Sequence, residues 1–469
     1  MITPLLDTKG LLVPQVPHAL KLLNSIYLNG FACDLSETGV GKTYTASWIA
    51  KQYNAPIVVF CPKSVMPEWN RVLGIFGVKP SVLMNLEKLM RGRTPYVKYG
   101  KPKIDPKTGK TRETSRCHLV EVKLPAGCLV IVDESHRCKG INSLNAGLLI
   151  ALKRQGYKFL TLSATQATDP TEMRAFGYAA NLHDLYHWKK WCVDHGAEEV
   201  GQWGAVTFDN ESEEAQSKMS LCHTNLFNIQ GVASRLTREM MGSLFPENHI
   251  QAEAFDLGTN SPKIQAVYDE MEDEIARLED ACENYSTHIF AVIMKARRRA
   301  EMLKIPLLQE MTEDLFDEGK SVVVFLNFTE SIVALTERLE KNPKLKGKIG
   351  FIYGEQNIKD RWKDIKDFQA DKLRIMICNL KAGGIAVSLH DLNGKYPRAS
   401  LLNPSFSAID MHQALGRIHR QGALTKCYQR IVFAAGCIEE RACNKVQYRL
   451  NNLSCLLDGD LTDGFRIFN

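Results

Sequence analysis

The sharpest chemical signal in the chain is Ser36-Glu37-Thr38-Gly39-Val40-Gly41-Lys42-Thr43. It follows a short apolar run, FACDL (31–35), and precedes TYTASWIAKQY, which reads as a helix. A loop that receives phosphates needs small residues, so that backbone N–H groups can turn inward around the oxygens. It also needs a lysine for the β/γ charge and a hydroxyl for Mg²⁺. Ser36 stands at the first glycine of the general pattern and is small enough for the same turn. Thr38, Gly39, Gly41, Lys42 and Thr43 complete the loop, with Thr43 as the hydroxyl for the metal.

A second group sits in LVIVDESH (129–136). An apolar strand delivers Asp133 to its carboxyl end, where parallel sheets bind ligands. Asp133 suits Mg²⁺ held through water, and Glu134 suits polarisation of a water attacking in line with a γ-phosphate. The third group, His412 to Gly422 (HQALGRIHRQG), places Arg417 and Arg420 three residues apart, which on a helix puts both on one face. Arginines reaching toward a γ-phosphate from a second lobe would neutralise the charge that phosphoryl transfer develops, and would make hydrolysis depend on lobe closure.

The elements that must carry these groups alternate between short β-branched runs and longer helical patterns, as in parallel-sheet α/β domains. The first part holds strands at 31–35, 56–62, 128–134 and 158–165. The last part holds strands at 321–328, 348–354, 374–380, 399–405 and 428–436. Between them, about 171–300, the chain is rich in Glu, Met, Ala, Trp and His at helical spacing, and reads as a helical insertion. Within it, His183, His187, Cys192 and His195 lie close together but lack paired zinc-ligand spacing, so imidazoles packed among Tyr186, Trp188 and Trp191 are expected. The acidic 269–283 and the basic KARRRAEMLK (295–304) are expected to pair, or else to leave Arg297 to Arg299 lining a polyanion.

Composition excludes several classes. The chain of 469 residues is 45% hydrophobic and 24% charged, enough to bury a large core in two or three domains. No apolar run reaches the ~18 residues of a membrane helix, and MITPLLDTKG is no signal peptide, so no membrane partner is expected. Thirteen cysteines, an odd number without a Cys-x-x-Cys pair, point to free thiols in a reducing, intracellular compartment. Residues 91–124 hold ten Lys/Arg against three Asp/Glu, an excess of seven in a chain whose net charge is +6. That strip is the natural address for a polyanion. Its centre, with turn chemistry at Lys107-Thr108-Gly109, is expected to form a basic β-hairpin whose Lys98, Lys101, Lys103, Lys107, Lys110 and Arg112 meet phosphates.

ETGVGKT, DESH, LSAT (162–165) and QALGRIHRQG together resemble the superfamily 2 helicases and translocases. VVFCPKSVMPEW (58–69), VLMNLEKL (82–89) and VASRLTREMMGSLFPENHI (232–250) resemble the Swi/Snf branch, with Arg238 where lysine is usual. AGGIAVSLHDLNGKYPRASLLNPSFSAIDMHQALGRIHR (382–420) is most similar to virus- and phage-encoded, strawberry-notch-like members. The resemblance implies an α/β fold of two RecA-like lobes with a mostly helical insertion. Its bounds are lobe 1 at 1–170 (with the basic insertion 91–124), the insertion at 171–300, lobe 2 at 301–450, and a tail at 451–469.

It further implies an ATPase using ATP and Mg²⁺ whose hydrolysis drives movement on double-stranded or branched DNA, with an RNA–DNA hybrid as a further substrate. A strand-separating or fork- and R-loop-remodelling helicase, or an ATP-gated accessory factor of a viral polymerase, are the alternatives. Viral replication or transcription proteins would then be candidate partners, in a host cytoplasm. By the same resemblance Gln15 reads adenine, Gln413 contacts the γ-phosphate or its water, and His136 with Ser163, Ala164 and Thr165 couples the ATP and nucleic-acid sites. Lys63, Ser64, Gly383, Gly384 and Arg297 join the basic strip as nucleic-acid contacts. Ser388 replaces the family's usual asparagine and is followed by His390-Asp391.

Overall fold

The structure is a computed structural model. It describes residues 8–90, 94–99, 119–140, 143–201, 204–209, 212–255, 260–281, 286–380, 387–405, 407–434, 439, 443, 447–450, 452 and 456–458. Gly383, Gly384, Lys101, Lys103, Lys107, Lys110 and Arg112 lie outside these residues.

In chain order the strands are β1 (Phe31–Asp34), β2 (Ile57–Cys61), β3 (Val82–Asn85), β4 (Val97–Tyr99), β5 (Leu119–Val122), β6 (Leu129–Asp133), β7 (Lys158–Leu162) and β8 (Ala197–Val200). They continue with β9 (Ala205–Phe208), β10 (Ala233–Ser234), β11 (Asn248–Phe255), β12 (Ser321–Leu326), β13 (Ile349–Ile352), β14 (Ile375–Asn379), β15 (Arg398–Leu402) and β16 (Cys427–Ala434). The chain forms two compact units, Met1–Gly242 with Arg449–Phe465, and Ser243–Tyr448 with Arg466–Asn469.

Each unit is built on one six-stranded parallel sheet. The first has the order β10-β1-β7-β6-β2-β3, the second β11-β16-β15-β12-β14-β13. Both lobes are α/β with covered sheets, which explains why the central strands read as continuous apolar runs rather than alternating ones. β1, β2 and β12 are buried at every position. In the second unit Val322, Val324, Ile375 and Ile377 pack against Leu308 and Leu335 of the covering helices. Each such side chain contributes roughly 1.5–3 kcal/mol on burial.

The stretch 171–300 is mostly helical, as expected, but it also contributes strands. β8 and β9 form an antiparallel pair within it, β10 completes the first sheet beside β1, and β11 completes the second beside β16. The chain therefore passes from one sheet to the other inside the supposed insertion. Its two longest helices, Ser261–Ala281 and Ser286–Leu303, pack through Ile264, Val267, Met271, Ala296 and Ala300 onto Ala434 of β16. The tail is also reassigned, because Arg449–Phe465 belongs to the first unit and buries Leu450, Leu456 and Leu457.

Candidate functional site

Three of the predicted groups leave the carboxyl ends of neighbouring strands of the first sheet. β1, β7 and β6 are adjacent, and all are parallel. The phosphate-loop sequence leaves the carboxyl end of β1, Ser163-Ala164-Thr165 leaves β7, and Glu134-Ser135-His136 leaves β6. Carboxyl ends of parallel strands are where α/β sheets bind ligands.

The loop has the backbone its sequence requires. Gly39 and Gly41 adopt φ of 89° and 95°, a region open to glycine, and Gly41 begins the helix Lys42–Tyr53. That helix directs its amino end at the loop, favouring an anion there. Lys42 Nζ donates to the carbonyls of Ser36 and Glu37, each at 2.8 Å. The loop is anchored from the helix Gln15–Asn29. The Gln15 side chain accepts from Leu12 N–H (2.9 Å) and donates to the Val40 carbonyl (2.8 Å). Expected as an adenine reader, Gln15 thus braces the far end of the phosphate loop, with its carboxamide held on both sides.

His18, one turn further on, braces the near end. Its Nδ1 lies 2.8 Å from Ser234 Oγ, and its Nε2 lies 3.2 Å from Asp34 Oδ2 and 3.3 Å from Ser36 Oγ. Burial pushes Asp34 up, but the facing His18, with its hydrogen bond, then Lys42 and Ser36, brings the carboxyl net below the usual range. Sequence reasoning missed this pair. The signal available was a histidine three residues after Gln15, hence on the same helix face, and an aspartate ending a buried strand.

Asp133 ends β6 with both oxygens engaged. Oδ1 accepts Glu134 N–H (2.9 Å), and Oδ2 accepts Trp69 Nε1–H (2.8 Å). Burial and the neighbouring Glu134 carboxylate raise its pKa, while the Trp69 bond and Lys42 oppose them. Trp69, fully buried, comes from the VVFCPKSVMPEW segment and ties it to the metal-type aspartate. Lys63 and Ser64 of that segment form a short 3₁₀ turn, Lys63 exposed and Ser64 half-buried. Glu134 sits in the left-handed region, φ 52° and ψ 47°, unusual for a residue with a Cβ. Such backbone costs on the order of 1–3 kcal/mol and is typical of functional positions. His136 Nδ1 lies 3.3 Å from Glu134 Oε2 and 3.2 Å from Ser163 Oγ, joining the second motif to the LSAT segment.

Hard oxygen donors, the Asp133 carboxylate and the Thr43 hydroxyl at the start of its helix, fit Mg²⁺, which takes few protein ligands beside phosphate. Among the described residues, no three His, Cys, Asp or Glu side chains could together hold a metal. The His183 and His195 rings instead both pack against Trp191, with centroids 4.9 and 4.2 Å away.

In the second unit, Arg417 and Arg420 are not on a helix. The helix Ala408–Leu415 stops at Gly416; Arg417 lies in the turn that follows and Arg420 in irregular chain beyond it. Gln413 is buried on that helix and Arg417 is 2% exposed, while Arg420 Nη1 donates to Ser388 Oγ (2.9 Å) and Nε to Gly416 O (3.2 Å). Ser388, where the family has asparagine, thus holds the second arginine. Leu389 N–H donates to Arg417 O, so the two segments interlock. Burial, then Arg420 and Arg398, depresses His390 to about 4.

Arg297 is half-buried on the helix Ser286–Leu303. Burial lowers its pKa, with Tyr268, Glu301 and Glu439 around it. Arg298 and Arg299 are exposed and pair with Glu330 (2.8 Å) and Glu270 (2.6 Å). Of the basic strip, Lys98 lies on β4, which pairs antiparallel with β5, as a hairpin base would.

Residues 303–422 match the family described as the helicase conserved C-terminal domain. An Acanthamoeba polyphaga mimivirus protein, provisionally named an ATP-dependent RNA helicase, is 31% identical over 476 residues, spanning 97% of this chain and 85% of its own. A RAD54-like DNA repair and recombination protein of Drosophila erecta is 28% identical over 163 residues, 34% of this chain and 20% of the relative.

The chain belongs to the Swi/Snf-like superfamily 2 helicases. Proteins of this family hydrolyse ATP and act on nucleic acid, and this chain is such an enzyme. Among solved structures, the Sulfolobus solfataricus SWI2/SNF2 ATPase core in complex with double-stranded DNA aligns over 95% of this helicase and 92% of that chain, at 16% identity and a TM-score of 0.35. No helix among the described residues is long and apolar enough to cross a membrane.

Proposed function

We propose that this helicase is an Mg·ATP-driven translocase on double-stranded or branched DNA. The observation that carries this reading is the bond from Trp69 to Asp133, since it links the Swi/Snf-type segment to the carboxylate suited to magnesium. The similarity to DNA repair relatives and the excess positive charge of 91–124 support a DNA partner.

In this account Lys42 leaves the Ser36 and Glu37 carbonyls for the β/γ-phosphates, and loop N–H groups around Gly39 and Gly41 take the remaining oxygens. Thr43 and Asp133 would hold Mg²⁺, which neutralises phosphate charge. Glu134 takes the proton of the attacking water, with its carboxylate oriented by His136. Gln413, Arg417 and Arg420, carried by the second unit, remain the residues that the family resemblance assigns to the γ-phosphate. His136, bonded to Ser163, transmits the state of the site to the LSAT segment.

Lys42→Ala and Glu134→Gln should each reduce ATP turnover at least a hundredfold while leaving duplex binding within about twofold. Substantial hydrolysis in both variants would refute the site. The provisional name of the mimivirus relative supports RNA as the second reading, and it would be favoured if RNA stimulated hydrolysis more than any DNA.

A further inference from the structure

The phosphate loop is tied to both passages of the chain between the two units. The outgoing passage is Val232 to Gly242, which runs beside residues 33–37. Leu35 N–H donates to Ser234 O and Glu37 N–H to Leu236 O, each at 2.9 Å, and Leu236 N–H donates to Ser36 Oγ at 2.9 Å. Two residues on, Arg238 N–H donates to Glu37 Oε2 (3.0 Å), and its guanidinium donates to Thr38 Oγ1 (2.7 Å). The returning passage begins at Arg449 and brings Asp458 back to the same place.

Arg235 joins all three. Its Nε and Nη2 donate to the two Asp458 oxygens at 2.8 and 3.2 Å, a forked pair, and Nη1 donates to Leu35 O at 3.0 Å. Nη2 also lies 3.5 Å from Glu37 Oε1. The side chain is 6% exposed and Asp458's is 17%, so the pair is largely removed from water. A planar fork held at this depth discriminates geometry strongly.

Glu37 stands at the junction. Its carbonyl receives Lys42 Nζ, and its carboxylate lies between Arg235 and Arg238. A phosphate that draws Lys42 away frees that carbonyl, and the disturbance reaches Arg235 and Asp458 through a single residue.

Resting on the nucleotide site proposed above, we propose that Arg235 is a positioning residue that couples nucleotide occupancy of the phosphate loop to the seating of the returning segment 449–458. Such coupling is reciprocal. A seated segment that tightens nucleotide binding by some factor must itself be seated more firmly by nucleotide, by the same factor.

The test uses the full chain and a fluorescent, non-hydrolysable ATP analogue. Asp458→Asn retains shape and removes the charge, and Arg235→Lys retains charge and removes the fork. Both should weaken analogue binding by about 5-fold or more, the lower end of ordinary coupling. In Asp458→Asn, KM for ATP should rise in step with kcat within twofold of the parent, a split that general loss of folding would not produce. In the parent, the analogue should slow limited proteolysis within 449–458 by a similar factor, and in Asp458→Asn that protection should vanish. Parent-level analogue binding in both variants, or proteolysis indifferent to analogue in a parent that binds it, overturns the coupling alone. A parent that binds no nucleotide overturns the site reading and the coupling together.

Discussion

Trp69→Phe isolates one hydrogen bond. The indole N–H donates to Asp133 Oδ2 at 2.8 Å from a fully buried ring, and Asp133 keeps its other bond, from Glu134 N–H to Oδ1. Phenylalanine refills most of the ring, so the lost volume should destabilise the first unit by only about 1–2 kcal/mol. A hydrogen bond to a charged acceptor contributes ~1.5–3 kcal/mol. At ~1.36 kcal/mol per decade, that is about 10- to 150-fold in whatever equilibrium the oriented carboxylate serves. If that service is holding Mg²⁺, half-saturating free Mg²⁺ for ATP hydrolysis should rise tenfold or more at saturating ATP and nucleic acid. Excess Mg²⁺ should restore most of kcat. An unchanged Mg²⁺ dependence, or a loss of kcat that no Mg²⁺ concentration repairs, would refute the link between Trp69 and the metal carboxylate.

Ser388→Ala removes the acceptor for Arg420 Nη1, and kcat should fall about 5- to 13-fold, as for the loss of ~1–1.5 kcal/mol of positioning, with KM for ATP little changed. Steady-state kinetics at saturating nucleic acid decide it. Lys304, with no exposed side-chain surface, meets both Glu439 oxygens at 2.7 and 2.8 Å. Lys304→Met should therefore cost about 3–5 kcal/mol in a urea titration of the second unit, because it strands a buried charge. His390 is depressed to about 4, so it stays neutral in the folded protein where the unfolded chain protonates it. Its contribution to stability is intact above ~6.5 and is lost as pH falls from there toward 4. His390→Gln should flatten that limb of the denaturation midpoint against pH.

Legibility followed burial. β1, β2, β6, β12 and β14 lie inside their sheets and announce themselves as apolar runs, because both faces are covered. β10 and β11 are edge strands. One is only two residues long, and NHIQAEAF mixes polar with apolar residues, so neither carries that signature. Reading 171–300 as a helical insertion followed from this. Residues whose type is dictated by backbone or phosphate chemistry were visible at once: Gly39, Gly41, Lys42, Asp133.

Residues that act through tertiary contacts were not. Arg235 meets Asp458 across more than two hundred positions, and His18 meets Ser234 across a similar span. The spacing of Arg417 and Arg420 suits a helix, but the helix ends at Leu415, before either arginine. Ser388 looked like a departure from the family pattern, and only its contact with Arg420 gives it a role.

Directed movement on duplex DNA is tested most directly by displacement of a third strand bound in the major groove ahead of the protein. With Mg·ATP, the parent should release the third strand while leaving the two strands of a blunt duplex paired, and Glu134→Gln should release none. Hydrolysis that duplex DNA does not stimulate, with the third strand left in place and single-stranded RNA as the better activator, would contradict the account.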